Sequence, residues 1–128
     1  MNPIEITAKE VVDAAYVVHK ELGPGLLESA YQFCLEHELR SRNLKIEREK
    51  PIPLFYRGEK LDCGYRIDLL VENKIILEVK SIEIFHPIHT AQVITYLRLT
   101  RLNLGFLLNF NSQYFKSGIK RIALNLTE

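Results

Sequence analysis

The stretch YRIDLLVENKIILEVKS, residues 65–81, decides the fold. Two apolar runs, RIDLLV and KIILEV, flank Glu72-Asn73, a turn-forming pair, so the segment reads as two antiparallel strands joined by a tight hairpin. A strand as apolar as KIILEV is expected to be central and covered on both faces. Yet it carries Glu78 and Lys80, which a period of two places on one face. Asp68 interrupts the equally apolar RIDLLV, and pairing through the turn brings it across from Glu78. Two carboxylates side by side repel, and burying them costs several kcal/mol per ion unless something offsets it. A divalent cation would do so: carboxylate oxygens suit magnesium or manganese. Lys80 would then orient or help deprotonate an attacking water, or stabilise charge on a phosphate. The plainer alternative is an edge strand whose Glu78 and Lys80 are solvated and whose Asp68 caps a turn.

Upstream, Thr7 and Glu10 have the spacing of a capping box. Val11, Ala15, Val18 and Leu22 then recur at helical intervals, predicting a helix over about residues 8–22 that Gly23-Pro24-Gly25 ends. A second helix follows, with Leu27, Ala30, Tyr31, Cys34, Leu35 and Glu38 on one stripe ending near residues 41–43. Cys34 reads as a core residue. Strands are expected over about 45–56, 61–71 and 74–80, with a further turn at Arg57-Gly58. Pro87 suits the first turn of a helix running to about residue 101, with Asn103 as its cap. LGFLLNF reads as a buried strand, and residues 119–124 as a last one, after a loop at 111–118 expected to be mobile. The order is helix, helix, three strands, helix, strand, strand, within one domain over residues 1–128.

Composition narrows the function classes. With 128 residues, 47% of them hydrophobic, the chain can bury a core. A formal net charge of +1 argues against a disordered polyelectrolyte or a strongly basic nucleic-acid coat protein. The mean hides a division: residues 1–83 hold 12 Lys/Arg and 15 Asp/Glu, whereas residues 84–127 hold five Lys/Arg and no carboxylate. Facing one cleft, such halves would hold a cation against acids and a phosphate against bases. No apolar run is long enough to span a bilayer, and MNPIEITAKE lacks the order of a secretory signal, so no membrane association and a cytoplasmic location are expected. Cys34 and Cys63 have no partner at zinc-ligand spacing.

Further residues gather around the hairpin. Gly25 to Tyr31, GLLESAY, has the form GxxExxY, with Glu28 at a helix start where it either complements the dipole or reaches a metal. Gln92 and Tyr96 share one helical face, with His89 three residues earlier. His86 and His89 read either as polar residues at a helix start or as contacts to phosphate. Lys116, Lys120 and Arg121 follow the expected loop and suit a phosphate backbone. Arg98 and Arg101 read as surface charges.

Assembled in this order, these residues resemble the PD-(D/E)xK nuclease superfamily, and within it the small proteins named for the GxxExxY pattern. Gln92-x-x-x-Tyr96 is similar to the QxxxY element of helicase-associated exonucleases of that superfamily. The resemblance spans about residues 11–124. It implies an α/β, restriction-endonuclease-like core, α-β-β-β-α-β, with a central mixed sheet flanked by helices. It further implies Asp68, Glu78, the Val79 carbonyl and Glu28 as metal-site residues for Mg2+ or Mn2+. Lys80 would be the catalytic lysine, while Gln92 and Tyr96 would position substrate. Ile67 stands where many members have proline.

The leading expectation is a metal-dependent nuclease acting on phosphodiester bonds in DNA. With no inserted recognition domain, cutting would be directed by structure or by ends rather than by sequence. A homodimer, or a protein partner supplying specificity, would extend its reach on DNA. The alternative is a catalytically silent nucleic-acid-binding or assembly module of the same fold, which need not bind magnesium.

Overall fold

A computed structural model describes residues 2–126. The first helix, α1 (Pro3–Leu22), begins earlier than the capping-box spacing predicts. Asn2 is its cap, accepting from the Ile4 N–H, and Pro3 fills the first position, where no amide is needed. Thr7 instead donates its hydroxyl to the Pro3 carbonyl inside the helix. In α2 (Glu28–Ser41) the buried residues are Tyr31, Gln32, Leu35 and Leu39. Their centre is rotated away from the stripe read in the sequence, which leaves Cys34 exposed rather than in the core.

β1 (Ile46–Pro51) is shorter than expected because Pro51 and Pro53 break the run. The chain leaves the main sheet for a separate hairpin, β2 (Leu54–Tyr56) and β3 (Glu59–Leu61), turning at Arg57-Gly58, both with positive φ. It returns as β4 (Arg66–Val71) and β5 (Ile75–Lys80). Glu72 and Asn73 form the tight turn between them, again with φ positive at both positions. Next come α3 (Pro87–Thr100), β6 (Leu104–Asn109), a 3-10 turn (Phe115–Gly118) and β7 (Ile119–Ala123). α3 ends on Arg101 in the left-handed region. Asn103 is no cap; its side chain donates to the Leu124 carbonyl.

The main sheet has the order β1-β4-β5-β6-β7, with β5 and β6 parallel and every other pair antiparallel. A mixed five-stranded sheet with helices on both faces is a restriction-endonuclease-like arrangement, as the family resemblance implied. β5 lies in the middle, and all its residues but the last are buried.

Each face has its own core. Val11, Ala15, Tyr31 and Leu35 of α1 and α2 pack on Leu69, Leu77 and Phe106. Val93, Tyr96 and Leu97 of α3 pack on Ile76, Leu107 and Ile122. α3 comes so close that a Cβ at Gly105 would stand 2.9 Å from the Val93 side chain. The segment 111–118 is not a free loop. Phe115 is buried against Phe110 and His19, and His19 Nε2 lies 2.7 Å from the Ser112 carbonyl.

Candidate active site

Period-two alternation puts Glu78 and Lys80 on the α3 face of β5, with Ile76. The β4–β5 register pairs Leu69 with Leu77, Leu70 with Ile76 and Val71 with Ile75, so Asp68 is next in line with Glu78. There the strands part. Instead of a main-chain rung, the Asp68 N–H donates to Glu78 Oε2 at 2.9 Å, and the Val79 N–H donates to Asp68 Oδ2 at 2.8 Å. Each carboxylate thus spends one oxygen bridging the fork. The second oxygen of each has no protein donor. Because no buried side-chain oxygen among the described residues lacks a partner, these free oxygens face solvent.

On the other side of β4, Glu49 stands opposite Asp68 with φ 55°, a conformation that breaks the β1–β4 ladder at that rung. Gln32 mends it. Its buried amide donates to the Asp68 carbonyl at 3.2 Å and to Glu49 Oε1 at 2.8 Å, so α2 directly fixes the backbone that carries Asp68. Gln32 and Glu49 were missed in the sequence. Nothing local in the sequence singles them out, since both depend on how α2 and β1 dock against β4.

The electrostatics follow from this crowding. Glu78 is 3% exposed, and burial, followed by the charge of Asp68, pushes its carboxyl well above the ordinary range, to about 8. Burial likewise raises Asp68, to about 6, against the pull of the Val79 N–H and Lys80. A buried acid pair with two outward oxygens is a place where cation binding relieves both desolvation and repulsion.

The GPGLLESAY segment is fastened to the end of β5. The Tyr31 hydroxyl donates to the Gly23 carbonyl and accepts from the Leu26 N–H, while its ring stacks on Phe110. Ser81 Oγ donates to the Leu26 carbonyl, and the Ser81 N–H points to Glu28 Oε2 at 3.4 Å. Glu28 is therefore held beside the Lys80–Ser81 end of the strand, where its charge raises the Asp68 carboxyl. It does not complete a cluster: among the described residues, no three His, Cys, Asp or Glu side chains converge as a metal-ligating group. Asn109, which the sequence reading passed over, holds the chain beyond β5 by bonding both the N–H and the carbonyl of Ile82.

α3 covers the site. Gln92 donates to the Tyr96 hydroxyl at 3.1 Å, and burial with the nearby Glu78 charge raises the Tyr96 hydroxyl above its ordinary value. Lys80, His89, Gln92 and Tyr96 line one cleft of about 530 Å3 with Tyr65. His86 and His89 cap the helix. His86 Nδ1 accepts from the Ile88 N–H, and His89 Nδ1 accepts from the His86 N–H. That bond leaves neutral His89 with its proton on Nε2, and burial and Lys80 lower its pKa.

The basic residues are divided. Lys120 lies on the α3 face of β7, aligned with Leu107 and Glu78 across the sheet, roughly 10 Å from Glu78 at two strand spacings. Arg121 points to the opposite face and pairs with Glu5. Lys116 is exposed on the 3-10 turn beside α1, away from the carboxylates. Of the neighbouring bases expected to form a basic rim for phosphate, Lys120 thus shares the face of the carboxylates and Arg121 does not. Lys60 lines a separate groove with Lys50 and Asp62, and Arg57 lies over the Tyr56 ring.

A family model described as the PD-(D/E)XK nuclease superfamily matches residues 5–122, which contain every one of these site residues. No curated protein and no solved structure matches the chain. No helix among the described residues is long and apolar enough to cross a membrane.

Proposed function

From the premise that this chain belongs to the PD-(D/E)XK nuclease superfamily, we propose that it is a divalent-metal-dependent nuclease that hydrolyses phosphodiester bonds in DNA. The observation that carries this reading is the Asp68–Glu78 pair, buried together in the fork between β4 and β5 with Lys80 two residues on. A structural role alone would be met at lower cost by two apolar residues, because desolvating two acids is expensive.

The donor set fits magnesium or manganese: hard oxygens, few in number, and open to solvent on one side. Asp68 and Glu78 would hold the ion, and the Val79 carbonyl would join them, since it leaves β5 on the same edge as the Val79 N–H. Glu28 would act through water, because it stands apart from the pair. A bound divalent ion lowers the pKa of its water and offsets phosphate charge.

The chain's residues do the rest. The Asp68 and Val79 amides fix each carboxylate so that its free oxygen stays turned outward. Gln32 prevents Asp68 from shifting along the sheet. The Lys80 ammonium orients the attacking water or neutralises the phosphate, and the His89 Nε2–H donates to a phosphate or leaving oxygen entering the same cleft. Gln92 holds the Tyr96 hydroxyl. Selection would rest on the form of the DNA rather than its sequence, and a protein partner or second copy would supply further reach.

The test is cleavage of labelled single-stranded, duplex and branched DNA with magnesium and with manganese. Glu78→Ala and Lys80→Ala should abolish cleavage while circular dichroism stays native. Activity no higher than that of a variant carrying both substitutions, on every substrate, would replace this reading with a catalytically silent DNA-binding module.

A further inference from the structure

We infer that the cleft beside Lys80 receives a single unstacked nucleobase next to the scissile phosphate, so that the substrate is single-stranded DNA or a frayed end. The inference rests on the nuclease reading and specifies its substrate form. The cleft lies between the root of the β2–β3 hairpin, through Leu54 and Tyr65, and the flank of α3, through Ile88, Gln92, Tyr96 and Leu99. Its lining contains no carboxylate and one cation, Lys80. It is therefore unsuited to a second metal ion, and its charge suits an anion at the mouth.

Its volume falls within the about 300–1,000 Å3 of small-ligand sites, ample for a planar base. Two tyrosines supply the walls. Tyr65 is 44% exposed, and its ring meets that of the buried Tyr96 edge-on at 6.2 Å, leaving a face of Tyr65 free for stacking. The Gln92 amide and the His89 Nε2–H supply hydrogen-bonding groups at the wall. A base within a stacked duplex cannot enter such a cleft without leaving the stack, which a single strand does far more easily. Tyr56, 60% exposed, alternates onto the same hairpin face as the cleft-lining Leu54, and the Arg57 guanidinium lies 5.6 Å from its ring centroid, so an aromatic and a cation stand on the hairpin beyond the cleft. That mixture matches a strand with bare bases and phosphates.

The test reads binding apart from cleavage, with calcium in place of magnesium and a fluorescent oligothymidylate or a blunt duplex of the same length as probe. The whole chain should bind the single strand at least about tenfold more tightly. Tyr65→Ala should weaken single-strand binding by about fivefold to a hundredfold and leave duplex binding unchanged, while Tyr65→Phe, which keeps the ring, should bind as the original does. Ala91→Leu, at an exposed helix position lining the cleft, should block the single strand without touching the core. Equal affinity for both forms, or equal loss on both with Tyr65→Ala, would overturn the inference and leave the nuclease reading standing. Binding to neither form, with no cleavage in magnesium, would overturn both.

Discussion

Replacing Glu78 by glutamine should make the metal-free protein more stable in alkali and leave it unchanged in acid. In the fold the Glu78 carboxyl is raised from its ordinary 4.5 to about 8, first by burial and then by the Asp68 charge. The folded state therefore holds this proton more tightly than the unfolded chain does. The stability it contributes is complete below the unfolded value and is lost as the pH rises towards the folded one. At about 1.4 kcal/mol per pH unit, carrying the ionised group costs the fold on the order of 5 kcal/mol once the pH passes the folded value. Glutamine mimics the protonated acid: its oxygen can still accept from the Asp68 N–H, and its amide can donate to the Asp68 carboxylate. Urea unfolding in a chelator should thus give nearly matching curves near about pH 4, and a variant about 3–5 kcal/mol more stable near about pH 8.5. Saturating magnesium should restore the original protein and do little for the variant, because the ion binds only the folded, ionised site. A difference between the two proteins that stays constant across this pH range would refute the account of Glu78 as a buried acid crowded by a second one.

Magnesium binding near neutral pH should expel about one proton, seen as a dependence of calorimetric heat on buffer ionisation enthalpy, since the raised Glu78 must ionise to ligate. Gln32→Ala should cost about 1–3 kcal/mol in urea unfolding, because the Asp68 carbonyl loses its donor, and should lower cleavage more than that loss of fold explains. Gly118→Ala should destabilise by about 1–3 kcal/mol, as its Cβ would stand 2.4 Å from the Asn109 carbonyl oxygen; an unchanged melting temperature would contradict the tight packing of the 3-10 turn. Arg121→Ala should leave cleavage within about twofold of the original, because Arg121 faces away from the acids and binds Glu5.

The central hairpin was legible because its rules are local. A two-residue turn at Glu72-Asn73 fixes the register, and the register alone brings Asp68 to Glu78. The apolar runs of β5 and β6 announced a covered centre in the same way. What stayed hidden depends on packing between distant segments. Cys34 and Gln32 compete for the buried side of α2, and only the angle at which the helix meets the sheet decides for Gln32. Arg121 and Lys120 are neighbours in sequence, yet strand alternation sends them to opposite faces, so a count of bases after residue 83 overstated the rim. The turn at Arg57-Gly58 lies where the sequence puts it, but residues 54–56 read as the end of one strand over 45–56 even though Pro51 and Pro53 mark the break. With it went the position of Tyr65.

The fork between β4 and β5 has a consequence for how the site can be watched. At this rung two main-chain amides, of Asp68 and Val79, are guarded by side chains alone. Whatever changes the charge or ligation of those acids changes the guard, while the ladder from Leu69–Leu77 to the turn stays closed. The exchange of these two amide hydrogens with solvent is thus a native gauge of site occupancy, carried by the backbone and readable without label or substrate.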